Sequence, residues 1–362
     1  MLIPLQLPPG VHANGTEFES SNRWREASLV RWHDGSMRPV GGWTVRKPSA
    51  FTYAPRAMIA YLDNDSDEHM AAGTYDKLYY VNPALTVTDI TPSSGFTSGS
   101  LNGALNLGYG GGFMGSTNYG RAPTSSGVYA EATTWSLDTW GEYLLGVSST
   151  DGKLLEWQGN PSANAAVVAN APVDNLAMVV TEERFVFCLG AGGNPRKVAW
   201  SDKENNTLWS AAATNEAGDM ELQTNGQIMC GVRMRGATLI LTSEDAHLAT
   251  YSGAPFVYGF QRVGTACGIA SRKAAVAIDE GAFWMGKKGF YTFNGSTATE
   301  ISCEVADYVF DDLNPSQVSK VYAVHNSQFG EIWWFYPSAS ANENNRYVTL
   351  DYKEGHWATG VI

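Results

Sequence analysis

The chain has 362 residues, 44% hydrophobic and only 17% charged, which is ample for a core and too apolar for a disordered chain. Its formal net charge of −12 argues against a stable, sequence-specific grip on DNA, which needs lysine and arginine to neutralise phosphates. No apolar run is long enough for a spanning helix, so no membrane anchor is expected.

The opening MLIPLQLPPG has no basic segment and carries prolines in its apolar stretch, so no secretory leader is expected. Residues 1–50 read as an extended arm with irregular strands, ahead of one domain over 51–362. Between Ser20 and Arg56 stand Arg23, Arg25, Arg31, Arg38, Arg46, Lys47 and Arg56 against Glu26 and Asp34. That segment is about +5, leaving about −17 for the remainder. Segregated charge lets a basic arm dock on an acidic body. The same residues also read as solvated arginines flanking Trp24, Trp32 and Trp43.

Met58 to Ile90 fits three or four short strands. Within it Asp63, Asp65 and Asp67 form D-x-D-x-D, a weak candidate for a bound cation. A calcium loop places Gly sixth and Glu twelfth, where this chain has Glu68 and Thr74, so a solvated acidic turn is the plainer expectation. Residues 91–126 are rich in Gly, Ser and Thr and read as a long loop or protrusion. Gly110, Gly112 and Gly115 satisfy G-x-G-x-x-G without a strand–helix unit around them, which points to a glycine loop rather than a dinucleotide site.

Strands resume at Thr139 and continue in units that begin roughly every forty to fifty residues, the blade spacing of propellers. The last hundred residues carry the pattern most clearly: AAVAIDEGAFWMGKKGFYTFNG from Ala274, then VYAVHNSQFGEIWWFYPS from Val321, then RYVTLDYKEGHWATG. Apolar residues recur every second position, and Asp-Glu-Gly, Asn-Gly and Lys-Glu-Gly cut the runs, as antiparallel hairpins require. Gly281 to Lys288 spells G-x-x-x-x-G-K-K. Phe283, Trp284 and Met285 fill its loop and Lys288 replaces the needed hydroxyl, so another hairpin is expected there, not a phosphate cradle. One helix is expected, over Glu304–Leu313, with Val305, Tyr308 and Val309 near one face. The expected fold is all-β and β-propeller-like, with about six blades, an extended N-terminal arm and a long Gly/Ser-rich insertion.

Cys188, Cys230, Cys267 and Cys303 lie far apart, unlike a disulfide framework or a metal motif, and read as reduced, mostly buried thiols. His12, His33, His69, His247, His325 and His356 are scattered, with no H-E-x-x-H, which gives a zinc enzyme little support. No cofactor and no catalysis are expected, although carboxylates paired only in three dimensions leave glycan cleavage open. Trp333 and Trp334 are consecutive on one strand and must point to opposite faces, one to the core and one toward a partner. The interface candidates are Arg23, Arg25, Arg31, Trp32, Arg38, Trp43, Trp333 and Trp334.

The opening TEFESSNRWREASLVRWHDGSMRPVGGW resembles the N-terminal segment of tail nozzle, or tail-hub, proteins of short-tailed bacteriophages, a group that includes the packaged-DNA stabilisation proteins. Similar text recurs in the same order at LDTWGEYLLGVSSTDGKLLEW, at FWMGKKGFYTFNGSTATEISCEVADYVFDDLN and at GEIWWFYPSASANENNRYVTLDYKEGHWATG, so the resemblance spans nearly the whole chain. It implies a β-propeller-like virion subunit, made in the host cytoplasm, that forms a homo-oligomeric ring, usually a hexamer, below the portal and adaptor. DNA would pass through the ring without sequence preference. The chain is short for that family, which puts the platform or tip domains of longer members in doubt here. The alternative expectation is a carbohydrate-binding or carbohydrate-cleaving propeller, whose exposed aromatics would stack on sugars.

Overall fold

The computed structural model describes residues 7–44, 51–105, 129–279 and 281–362. Six four-stranded antiparallel sheets follow one another along the chain, each an unbroken meander in sequence order. Blade 1 spans 57–89, blade 2 135–167, blade 3 177–221, blade 4 228–265, blade 5 275–301 and blade 6 322–361. The first strands of successive blades (Ala57–Leu62, Trp135–Trp140, Ala177–Val180, Ile228–Met234, Ala275–Ile278, Tyr322–Asn326) contact one another in turn and line the axis. This is a six-bladed β-propeller, as the forty-to-fifty-residue spacing predicts. Blade 2 starts at Trp135, four residues before the expected position.

Alternation decides which side chains meet between blades, and tryptophans fill those spaces. Trp135 of blade 2, Trp284 of blade 5 and Trp334 of blade 6 are fully buried. Each indole N–H still finds a backbone carbonyl, of Thr74 (2.6 Å), Cys267 (2.7 Å) and Ala274 (3.1 Å) respectively. A buried indole keeps its stabilising apolar area only if that donor is satisfied. Phe290 lies 4.8 Å from both Trp334 and Trp357 and continues the same core from blade 5 into blade 6.

Gly281–Met285 and Phe290–Phe293 form the hairpin expected in place of a phosphate loop. The helix is shorter than its sequence signal, Ala306–Asp311, with Val305 and Val309 buried and Tyr308 38% exposed. A 3-10 turn, Pro315–Lys320, follows it, started by Pro315 and by the Asn314 side chain accepting from the Ser316 N–H at 3.0 Å. Of the Gly/Ser-rich insertion 91–126, residues 106–126 lie outside the described residues, with Gly110, Gly112 and Gly115 among them. At its base Ala104–Leu105 pairs with Tyr129–Ala130.

The N-terminal segment is laid along the outer edge of blade 6. The Val11 N–H donates to the Trp357 carbonyl at 2.8 Å, and Ser28 bridges Thr359 in parallel. Covering the outer strand His356–Val361 removes an open sheet edge. Val11 and Trp32 join the core that holds Trp334 and Trp357. The segment also forms a hairpin, Val30–His33 with Ser36–Pro39, across a two-residue turn. Asp34 and Gly35 both take positive φ (51° and 68°) in that turn, the conformation for which Asp-Gly is favoured.

Candidate functional site

Two regions concentrate charge and aromatic surface: the arm on blade 6, and the seam where blade 1 meets blade 6. On the arm, Arg31 grips Glu331 of blade 6 with two bonds, Nε to Oε1 at 2.9 Å and Nη2 to Oε2 at 3.2 Å. Its guanidinium also lies 3.8 Å from the centre of the Phe329 ring. Glu331 is 3% exposed and takes further bonds from Asn326 Nδ2 (3.1 Å) and Trp333 Nε1 (2.8 Å). A carboxylate so deeply placed requires a counter-charge, and the arm supplies it. Arg23 pairs with the half-buried Glu304, Nη2 to Oε2 at 2.7 Å.

These contacts redirect several of the interface candidates. Arg23 and Arg31 are engaged within the chain rather than held free for a neighbouring copy. Trp32 is buried in the blade 6 core, and Trp334 is fully enclosed. Trp333 does point to the opposite face, as alternation requires, but it too is buried. Tyr347 lies against it at 4.6 Å, and Trp43 of the arm meets it edge-to-face at 6.0 Å. Arg25 bonds Ser20 Oγ and the Gly15 carbonyl and remains exposed. Arg38 is exposed and makes no ion pair among the described residues. Trp43 is 56% exposed at the lip of a groove of about 530 Å³ lined by Arg31, His325, Asn326, Trp333 and Phe335. Phe18, 91% exposed, adds an apolar position on the same arm. The outward set is therefore Arg25, Arg38 and Trp43 together with Phe18. Arg46 and Lys47 lie outside the described residues.

Asp63, Asp65 and Asp67 form a hairpin turn. Asp63 Oδ1 accepts from the N–H groups of Asp65 and Asp67, both at 2.9 Å, and Oδ2 meets His69 Nε2 at 2.8 Å. The His69 hydrogen bond, helped by the backbone donors, holds the Asp63 carboxyl below its ordinary value. The three carboxylates do not gather within coordinating distance of one another. The weak cation candidate is thus a self-satisfied turn.

Blades 1 and 6 close the ring through charge. Arg56 Nη1 and Nη2 reach Glu343 at 2.5 and 2.8 Å, and Lys320 Nζ reaches it at 3.0 Å. Lys320 also donates to Asn102 Oδ1 and the Asn342 carbonyl. Burial works to raise the Glu343 carboxyl, but the Arg56 and Lys320 bonds outweigh it and leave it below its ordinary value. Burial, with Arg56 beside it, lowers the Lys320 amine. Near the axis, Arg233 lies 3.7 Å from Asp138, and Arg272 pairs with Glu131. A cavity of about 350 Å³ on the axis is lined by Leu137, Asp138, Val179, Arg233, Lys273 and Tyr322, residues at the first strands of blades 2 to 6.

Sequence reasoning missed a grouping that the fold creates. His33 and Asp34, in the arm's hairpin turn, stand beside Glu354 in the turn before the last strand, with ligand atoms mutually within 4.8 Å. No local spacing announces a contact across more than 300 residues; only the pairs His-Asp and Glu-x-His were visible.

No protein-family model matches the chain, and no curated protein matches it. Among solved structures it is similar to virginiamycin B lyase from Staphylococcus aureus, with TM-score 0.48, 7% identity, and 83% of this chain and 82% of that chain covered. It is also similar to YCF48 bound to D1 peptide (TM-score 0.43, 9% identity, 87% and 88% covered). A third is BBS1N in complex with ARL6DN (TM-score 0.42, 11% identity, 90% and 79% covered). At these identities and scores they bear on neither activity nor partner.

Proposed function

We propose that the chain is a structural virion protein, a tail nozzle or hub subunit of a short-tailed bacteriophage. It assembles as a homo-oligomeric ring, a hexamer by the family resemblance, below the portal and adaptor, and retains and then conducts the genome. The observation that carries the reading is the ordered, near-full-length textual resemblance on a chain that folds as a six-bladed propeller with net charge −12. A conduit for a polyanion must not bind it, and carboxylates repeated around a ring repel phosphate. In this reading the DNA path is the lumen between copies. Catalysis has no place in this reading, and the outward arm residues Arg25, Arg38 and Trp43 are the contacts offered to neighbouring subunits.

The test is co-sedimentation of purified chain with a portal–adaptor assembly, using wild type and an Arg25→Glu/Arg38→Glu/Trp43→Ala variant. Binding by wild type that the variant loses, with unchanged melting temperature, supports the reading. Absence of binding by wild type overturns it. A second reading, a glycan-binding propeller, draws on the half-exposed Trp43 beside Arg31 and Asn326 in the groove described above. A saccharide-dependent thermal shift that Trp43→Ala abolishes, in a chain that stays monomeric, would favour it.

A further inference from the structure

We propose that His33, Asp34 and Glu354, whose ligand atoms lie mutually within 4.8 Å, form a three-ligand site, with its fourth position open to water, for one zinc-class divalent cation that clips the arm to the outer turn of blade 6. The donors come from two turns that the fold brings face to face. His33 Nε2 lies 3.6 Å from Asp34 Oδ2, and His356 Nε2 lies 3.4 Å from Glu354 Oε2. The Asp34 N–H donates to Glu354 Oε1 at 3.0 Å and locks the two turns together. With metal–ligand bonds of about 2.0–2.1 Å, neighbouring donors in a tetrahedral shell stand about 3.3 Å apart, close to the His33–Asp34 separation, while His356 pairs with Glu354 from outside the cluster.

The surroundings favour a cation over a simple surface ion pair. Among the described residues neither Asp34 nor Glu354 has a lysine or arginine within ion-pair distance; each has only an imidazole. Two carboxylates placed together without a permanent counter-charge repel, and a divalent ion offsets both. His33 packs edge-on against Phe329 at 5.6 Å, which fixes its ring plane and leaves Nε2 facing Asp34. His33 is half-buried, whereas Asp34 and Glu354 are exposed, so the site opens to solvent on the carboxylate side. An imidazole with two carboxylates suits zinc or a similar first-row ion; calcium and magnesium prefer oxygen alone. The proposal is independent of the nozzle reading, since it concerns how one chain holds its own arm.

The experiment uses tag-free full-length chain, stripped with chelator and titrated with Zn²⁺, followed by thermal shift and by metal analysis after desalting. One zinc per chain and a rise in melting temperature of at least about 3 °C at a hundredfold excess over the dissociation constant are expected. Both vanish in the His33→Ala variant, and Mg²⁺ gives neither. Should an alanine variant unfold, Glu354→Gln keeps the side-chain shape and an acceptor for the Asp34 N–H while removing the charge, and it too must lose zinc. Zinc below about 0.1 per chain in wild type, or a shift that survives in the variants, overturns the proposal.

Discussion

Arg31→Met isolates what fastens the arm. The substitution keeps much of the aliphatic volume but strips Glu331 of its only ion-pair partner among the described residues. Glu331 is 3% exposed, and Asn326 and Trp333 alone would then satisfy a buried negative charge. Breaking a buried pair from one side typically costs about 3–5 kcal/mol, and the two remaining donors place the expectation near the lower end, about 3 kcal/mol. The double variant Arg31→Met/Glu331→Met removes the uncompensated charge and should recover most of that loss. Denaturant unfolding of the four proteins, followed by tryptophan fluorescence, supplies the cycle. Because the arm covers Trp333 through Trp43, Arg31→Met should also expose the arm to limited trypsin digestion. A loss below about 1 kcal/mol for Arg31→Met, with no recovery in the double variant, would refute the claim that this pair holds the arm.

Trp334→Ala should cost about 3–5 kcal/mol by leaving a cavity between blades 5 and 6, whereas Trp43→Ala, half-exposed, should cost under about 1 kcal/mol; chemical denaturation separates the two. Glu343, held below its ordinary value of 4.5, contributes stability that is whole above that pH and is lost as pH falls through its lower folded value. Melting temperatures of wild type and Glu343→Gln should therefore converge as pH drops below about 4.5, and a constant gap would count against the closure seam. All four cysteines are free, and burial pushes Cys230 up to about 12 and Cys267 up to about 11. Native protein should resist thiol-reactive reagent at pH 8 and react fully after unfolding; rapid native labelling of Cys188 or Cys230 would contradict their burial.

The propeller was legible because its signal is local. Strand alternation and turn chemistry sit within ten residues of each other, and six repeats of the unit restate them. The arm was not. Its basic excess was visible, but Arg31 and Glu331 are 300 positions apart, and nothing near either one names the other. The Trp333–Trp334 step shows where such reasoning stops. Alternation assigns the two indoles to opposite faces, but it does not say that Trp43 and Tyr347 cover the second face. The D-x-D-x-D turn shows the converse: carboxylate spacing suggested a ligand set, while the backbone N–H groups of Asp65 and Asp67 had the stronger local claim on Asp63. The cluster of His33, Asp34 and Glu354 exists only because the arm docks on blade 6.

The central claim is that copies of this chain build a ring around a polyanion path. Mass photometry and negative-stain electron microscopy of the purified chain, alone and with portal–adaptor complex, address it directly. The account predicts closed rings, sixfold by the resemblance, with a lumen wide enough for duplex DNA. Monomers at every concentration, with no density added beneath the portal, would contradict it.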